Sequence, residues 1–143
     1  MSPSMRAAGR PLKVLHVDDD PLNLRVVQEI LAAFGHAAVS CASGRAGLER
    51  LAGEAFDAIL LDVHMPEMSG LEVLEHIRSG PEPARSTPVI ALTADIISRR
   101  PQEYIALGFD DFVSKPILVA GLMAALTRAT SARAPAALRQ AAG

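Results

Sequence analysis

The sequence predicts an α/β fold in which a parallel β-sheet carries helices on both faces. Two observations predict it: five short apolar segments alternate with five segments of helical periodicity, and four of the apolar segments stop at a charged or hydroxyl-bearing residue. Regular alternation of strands and helices is typical of parallel sheets with crossover helices. The 143 residues, half of them hydrophobic, suffice for one core and leave no room for a second domain.

The first strand, the first helix and the second strand follow one another directly. Residues 12–17 are apolar and stop at three aspartates, as expected of a buried strand. Apolar residues then recur at helical spacing over 22–34, and Gly35 suits the position that follows a helix. Residues 37–41 predict a second, weaker strand.

The middle of the chain predicts the second helix, the third strand and the third helix. Ser43 can cap a helix that ends at Gly53. The strongest apolar run, residues 56–61, predicts a central strand that ends in Asp62. A loop with a Met-Pro and a Ser-Gly pair then leads into a third helix at 71–77.

The last part of the chain predicts two more strands and two more helices. After a proline-rich connection, residues 89–92 predict the fourth strand. The fourth helix lies within 94–107, and we expect it to start near Ser98. An interior proline costs about 3 kcal/mol or more, whereas Pro101 is tolerated in a first turn. Residues 109–113 predict a short fifth strand, and a last amphipathic helix follows the Lys-Pro pair.

Composition and charge exclude several classes of protein. The net charge of −2 excludes a strongly basic nucleic-acid-binding protein, and the single cysteine excludes a disulfide framework or a cysteine-based zinc site. No apolar run reaches the ~18 residues of a membrane span, and the start of the chain lacks the apolar segment of a signal peptide. We therefore expect a cytoplasmic protein with no membrane partner. Residues 1–11 and 131–143 are predicted to be a flexible arm and a flexible tail.

The polar residues that follow the strands point to phosphoryl-transfer chemistry. Ligands of parallel α/β sheets bind beyond the carboxyl ends of the strands, where we expect Asp18, Asp19, Asp62, Thr93 and Lys115. Clustered carboxylates raise one another's pKa unless a cation is bound, and Mg²⁺ prefers such oxygen ligands. Lys115 and Thr93 are suited to hold phosphoryl oxygens beside a carboxylate nucleophile.

Four segments resemble the signature segments of the response-regulator receiver domains of two-component signalling: VLHVDDDPLNLRVV, FDAILLDVHMPEMSGLEVL, PVIALTAD and GFDDFVSKPI. The resemblance extends from about residue 12 to residue 128. It implies a flavodoxin-like, doubly wound, five-stranded parallel sheet of order 2-1-3-4-5 with five helices, in a single receiver domain at 12–130. It also implies similarity to a stand-alone single-domain response regulator.

The same resemblance implies roles for the residues at the strand ends. Asp62 is expected to accept the phosphoryl group of a phosphohistidine. Mg²⁺ is expected to bind Asp18, Asp19, Asp62 and the backbone carbonyl of His64. Asp19 would be a direct ligand, whereas Asp18 would act largely through bound water.

The resemblance assigns further roles on the fourth and fifth strands. Thr93 and Lys115 are expected to hold the phosphoryl oxygens. Phe112 occupies the position of a switch aromatic residue, which is expected to turn inward when Thr93 moves toward the phosphate. The Lys115–Pro116 peptide bond is expected to be cis, an isomer of low cost only before proline.

The resemblance also implies the partners. The phosphodonor would be a histidine kinase or a histidine phosphotransfer protein. The output would be a changed surface that binds a downstream protein, or onward phosphotransfer. The chain would be a monomer or a weak, phosphorylation-dependent dimer. It would catalyse only its own phosphorylation and dephosphorylation, so we expect no enzyme that acts on other substrates.

Two alternatives stay open at this point, whereas the intact set of five strand-end residues argues against a third, a pseudo-receiver used only as a scaffold. A haloacid-dehalogenase-type phosphatase uses Mg²⁺ and two strand-end aspartates two residues apart, a spacing that Asp18 and Asp20 have. Against it, Asp20 precedes Pro21, a favoured first helical residue, so Asp20 suits a helix cap. Asp62 would also be unexplained in such an enzyme. The second alternative is a receiver excised from a hybrid histidine kinase.

Overall fold

The computed structural model describes residues 10–94 and 101–131, which form a five-stranded parallel sheet with α-helices on both faces. The strands are β1 Lys13–Val17, β2 Ala37–Cys41, β3 Ala58–Asp62, β4 Val89–Thr93 and β5 Asp111–Ser114. The helices are α1 Pro21–Ala33, α2 Gly44–Gly53, α3 Gly70–Ser79, α4 Pro101–Leu107 and α5 Val119–Ser131, with a short 3₁₀ helix at Ala84–Ser86. The strand order β2-β1-β3-β4-β5 confirms the predicted fold.

The register of the sheet brings the carboxyl ends of its strands together. Val17, the last residue of β1, pairs with both Cys41 and Leu61. Thr93, the last residue of β4, pairs with Ser114, the last residue of β5. The residues that follow these strands therefore lie along one edge of the sheet.

Two hydrophobic clusters, one on each face, hold the sheet between its helices. Alternate residues of β1 face opposite sides, so Leu15 packs with α2, α3 and α4 while Val14 packs with α1 and α5. All five residues of β3 and of β4 are buried. Helices thus cover both faces of the central strands, as the apolar runs of the sequence predict.

The ends of the helices carry the caps that the sequence predicts. Asp20 caps α1 by accepting a hydrogen bond from the backbone N–H of Leu22 at 2.9 Å, with Pro21 in the first turn. Ser43 caps α2 in the same way. Gly35, after α1, has φ of 83°, a left-handed conformation that favours glycine.

Several element boundaries in the structure differ from the predicted ones. The third strand begins at Ala58, two residues later than predicted, and includes Asp62. The last helix spans Val119–Ser131, two residues later at each end than the predicted 117–129. Pro101 is the first helical residue that the structure describes in α4, and the predicted start near Ser98 lies outside the described residues.

The two predicted terminal segments lie mostly outside the described residues, which begin at Arg10 and end at 131. Arg10, in the predicted arm, forms an ion pair with the buried Asp57 directly before β3. The same carboxylate accepts the backbone N–H of Lys13 at 2.9 Å. The amino end of the central strand is therefore fixed by charge and by hydrogen bonding.

Arg78, near the end of α3, joins several segments at the amino edge of the sheet. Its guanidinium donates to the carbonyls of Arg85, Thr87 and Gly108 at 3.0, 2.8 and 2.9 Å. It also pairs with Asp110 at 2.7 Å. A single side chain thus ties α3 to the turn between α4 and β5.

Candidate functional site

Three aspartates meet at the carboxyl edge of the sheet. Asp18 and Asp19 follow β1, and Asp62 is the last residue of the neighbouring strand β3. One carboxylate oxygen from each residue lies within 4.8 Å of the others. Asp18 and Asp62 are buried and Asp19 is exposed, so the cluster opens to solvent on the side of Asp19.

Asp18 is surrounded by groups that stabilise its charge. Its Oδ1 accepts the backbone N–H of Asp20 at 2.9 Å, and its Oδ2 accepts the Asn23 side-chain amide at 3.3 Å. The His16 Nε2 and the Lys115 ammonium lie 3.6 and 3.5 Å from Oδ2. Burial acts to raise the pKa of Asp18, but the neighbouring His16, the Asp20 N–H and the Lys115 charge together lower it to about 2.

The pKa of Asp62 is shifted in the opposite direction to that of Asp18. Burial and the negative charge of Asp18 raise the pKa of Asp62 to about 7, although Lys115 acts to lower it. The Lys115 Nζ lies 3.1 Å from Asp62 Oδ1, and the backbone N–H of His64 donates to the same oxygen at 3.2 Å. A cation bound between the carboxylates would favour the ionised form of Asp62, which is the nucleophilic form.

The fourth and fifth strands add Thr93 and Lys115 to this edge. Thr93 is fully buried, and its backbone carbonyl accepts the Lys115 N–H at 2.8 Å. Its side-chain oxygen accepts a hydrogen bond from Tyr104 at 3.3 Å. The Lys115–Pro116 bond is cis, which confirms that prediction.

The loop after β3 places the remaining predicted residues. The His64 side chain is exposed beside the carboxylate cluster. On the opposite side, α3 begins against Asp62: a Cβ on Gly70 would lie 2.3 Å from the Asp62 carbonyl oxygen and 2.8 Å from Val63 Cα. Only glycine allows this approach. The helix start is secured by Ser69, whose side chain forms a capping box with the third helical residue.

A pocket of about 250 Å³ lies beside Asp19, between the β2–α2 loop and the β3–α3 loop. Its lining includes Arg45 and the side chains of Met65 and Met68. The half-buried Phe112 lies on the other side of the site, where its ring stacks on Tyr104. The exposed Asp19 and this pocket leave the carboxylate cluster open to solvent.

The donor set fits Mg²⁺. Asp18, Asp19 and Asp62 provide only oxygen atoms, and the metal prefers a few carboxylates together with water. Burial and the negative charge of Asp18 raise the pKa of Asp62, and a bound divalent cation would oppose both effects. Within the described residues, these aspartates form the acidic cluster suited to a metal.

The structure therefore brings together the five residues predicted from the strand ends: Asp18, Asp19, Asp62, Thr93 and Lys115. Sequence reasoning missed three neighbours, Asn23, Gly70 and Tyr104. Asn23 lies one helical turn after the aspartates, which is a usable signal. The contacts of Gly70 and Tyr104 depend on how α3 and α4 approach the sheet, and no local pattern encodes them.

This fold and this site define a phosphoacceptor protein of two-component signalling. The sequence profile described as the response regulator receiver domain matches residues 14–127, and the chain belongs to this family. The match decides against the haloacid-dehalogenase alternative. The structure agrees, because the Asp20 carboxylate caps α1.

Several sensor kinases contain a segment similar to this chain. Sensor protein GacS of Pseudomonas syringae pv. syringae is 38% identical over 112 residues, which are 77% of this chain and 12% of that protein. The aerobic respiration control sensor protein ArcB of Escherichia coli K12 is 33% identical over 117 residues, 82% of this chain and 15% of ArcB. The chain thus spans less than a sixth of the length of these relatives, and a receiver from a hybrid kinase is compatible with the similarity.

Solved structures show the same fold. The chemotaxis protein CheY4 of Vibrio cholerae is 31% identical with a TM-score of 0.75, covering 83% of this chain and 98% of that one. The receiver domain of sensor histidine kinase PA1611 from Pseudomonas aeruginosa PAO1 is 30% identical with a TM-score of 0.75, covering 84% and 98%. That structure has a magnesium ion coordinated in its active site cleft.

No helix in the described ranges, 10–94 and 101–131, is long and apolar enough to cross a membrane.

Proposed function

We propose that Asp62 accepts a phosphoryl group from a phosphohistidine on a histidine kinase or a histidine phosphotransfer protein. One observation carries the proposal: the buried Asp62 carboxylate contacts Lys115 at 3.1 Å and lies within 4.8 Å of Asp18 and Asp19. An anionic nucleophile, a fixed cation and a metal-binding carboxylate pair are the parts that phosphoryl transfer needs.

The proposed reaction balances without a further reagent. A carboxylate oxygen of Asp62 forms a P–O bond while the P–N bond to the donor imidazole breaks, and the electron pair stays on the leaving nitrogen. The Lys115 ammonium and the Thr93 hydroxyl hold the transferred oxygens. Mg²⁺, held by Asp18, Asp19, Asp62 and the His64 carbonyl, supplies charge neutralisation when it is bound.

The chain's own chemistry ends with this phosphoryl group. We infer that it catalyses only its own phosphorylation and dephosphorylation, and that the signal leaves through the surface of α4, β5 and α5. In support, Ile105 and Leu107 are 48% and 42% exposed on α4, the helix whose Tyr104 contacts Phe112. Exposed apolar residues of this kind suit a protein partner. From the sequence, we expect residues 95–101 to be the mobile part of this surface, and 95–100 lie outside the described residues.

Labelling with acetyl phosphate tests the assignment. The wild-type chain, incubated with acetyl phosphate and Mg²⁺, is expected to gain the mass of one phosphoryl group, and to gain none in EDTA. Asp62→Asn is expected to remain unlabelled.

Asp57→Asn is the matched control, because Asp57 is another buried aspartate, at the opposite end of the same strand. It is expected to be labelled as the wild type is. Labelling of Asp62→Asn to the wild-type level would contradict the proposal.

A further inference from the structure

Tyr104 connects the site to the switch position. Although it lies on α4, its side chain is only 1% exposed. Its hydroxyl donates to the Thr93 side-chain oxygen at 3.3 Å. Its ring stacks on Phe112 with the centroids 6.4 Å apart and an interplanar angle of 12°, and meets Phe109 edge-on at 6.1 Å. A single buried side chain therefore joins the end of β4 to β5.

Phe112 is half-buried, so it lies nearer to the protein surface than the buried Tyr104. The phenylalanine has no hydroxyl, so the hydroxyl that reaches Thr93 comes from α4. The buried Tyr104 ring lies nearly parallel to the half-buried Phe112 ring. Tyr104 therefore contacts both Thr93 and Phe112, the two residues of the expected switch.

We propose that Tyr104 is a positioning residue that restrains Thr93 and Phe112 in the unphosphorylated arrangement, and that phosphorylation of Asp62 releases it. The inference rests on the proposed function, because the phosphoryl oxygens on Asp62 are what draw the Thr93 hydroxyl away. When Thr93 moves, Tyr104 loses this hydrogen bond and its ring shifts away from Phe112. Since Tyr104 belongs to α4, the helix that exposes Ile105 moves with it.

The size of the effect follows from one neutral hydrogen bond. Such a bond changes an equilibrium about two- to tenfold. Because this bond belongs to only one of the two arrangements, its removal shifts the population toward the other. Tyr104→Phe keeps the ring and both of its aromatic contacts. It is therefore expected to raise the affinity for beryllofluoride, a mimic of the aspartyl phosphate, about two- to tenfold.

The chain offers its own probe of this movement. Tyr104 is the single tyrosine and there is no tryptophan, so the intrinsic emission of the full chain comes from this residue. Titration of the wild type with beryllofluoride in Mg²⁺ is expected to change the emission as the hydroxyl leaves Thr93. Affinities of all variants are measured by calorimetry, which needs no fluorophore.

Two further variants separate positioning from packing. Thr93→Val removes the acceptor hydroxyl and keeps the shape of the side chain. In that background Tyr104→Phe is expected to change the affinity no further. Phe109→Leu disturbs the other ring contact of Tyr104 without touching Thr93, and is expected to leave the affinity within twofold of the wild type. A merely structural role for Tyr104 would lower stability and would not raise affinity.

Equal or weaker binding by Tyr104→Phe would overturn the inference, as would the same gain in the Thr93→Val background. If the wild type is labelled on Asp62 and binds beryllofluoride while Tyr104→Phe binds equally well, only the role of Tyr104 is wrong. If the wild type neither accepts phosphate nor binds beryllofluoride, the proposed function is wrong and the role of Tyr104 falls with it. Asp62→Asn, which is expected not to bind, identifies the site of binding.

Discussion

Replacing Asp62 by asparagine, its neutral analogue, is expected to stabilise the metal-free protein. In EDTA at pH 8, Asp62→Asn removes a buried negative charge that faces Asp18. The asparagine keeps nearly the same shape and retains an oxygen that can accept the His64 N–H. We therefore expect a higher melting temperature for the variant, which is unusual for a substitution in a buried polar site.

The magnitude follows from the pKa of Asp62, which is raised from 3.8 to about 7. Three pKa units correspond to about 4 kcal/mol against the ionised form, which sets an upper limit. Because Lys115 loses one of its two carboxylate partners, we expect about half of this, roughly 2 kcal/mol, or about 6 °C in a domain of this size.

The sign of the pH dependence is fixed by the direction of the shift. A carboxyl whose pKa is higher in the folded state destabilises the fold increasingly as pH rises from its unfolded value, near 4, to its folded value, near 7. The stability advantage of Asp62→Asn is therefore expected to widen between pH 5 and pH 7 and then to level off. Thermal unfolding of both proteins in EDTA measures it.

Asp57→Asn provides the contrasting control. Asp57 is also buried, but its carboxylate accepts hydrogen bonds from Arg10 and from the Lys13 N–H. An amide there would place an N–H against these donors, so we expect a loss of at least about 1 kcal/mol. If Asp62→Asn were no more stable than the wild type at pH 8, the argument from charge repulsion would be refuted.

Three further predictions concern the site and its supports. Asp19→Asn is expected to weaken Mg²⁺ binding without loss of stability, since it removes one ligand and one repelling charge; an unchanged melting response to Mg²⁺ would contradict this. Gly70→Ala is expected to lower the free energy of unfolding, measured in urea, by more than about 2 kcal/mol, because the new Cβ would collide with backbone atoms of Asp62 and Val63. A decrease below about 0.5 kcal/mol would show that α3 can shift. Arg78→Lys is expected to lower the free energy of unfolding by about 2 kcal/mol, because one ammonium cannot replace a guanidinium that reaches three carbonyls and Asp110. Since Asp110 also accepts the Val89 N–H, hydrogen exchange at Val89 is expected to be faster in this variant. Arg25→Lys, in an exposed ion pair, is its control and is expected to change stability by less than about 0.5 kcal/mol.

The predictable part of the site is the part that follows strands. An apolar run identifies a strand in the sequence. Because the carboxyl ends of parallel strands meet at one edge of the sheet, residues that follow different strands can be predicted to lie close together. Asp62 and Lys115, 53 residues apart in the sequence, were placed together in this way, and they lie 3.1 Å apart.

The contacts that escaped prediction are made from helices. Tyr104 on α4 looks like an ordinary core residue by its spacing, and its bond to Thr93 depends on the angle at which the helix packs. Gly70 likewise looks like an ordinary helix-start residue until α3 is set against Asp62. Asp57 lies within the predicted strand at 56–61, and its role as the partner of Arg10 depends on a residue 47 positions earlier in the sequence.

The ion pairs at the two ends of the domain affect the choice of boundaries for an expressed fragment. The family profile covers residues 14–127, and a fragment trimmed to those limits would lack Arg10, the Lys13 backbone N–H and Arg128. Arg128 pairs with Asp111 at 2.7 Å, so both Asp57 and Asp111 would lose their cations at once. Expression boundaries drawn from sequence similarity alone would thus omit stabilising groups at both ends, and a fragment for biophysical work should begin at or before residue 10 and extend past residue 128.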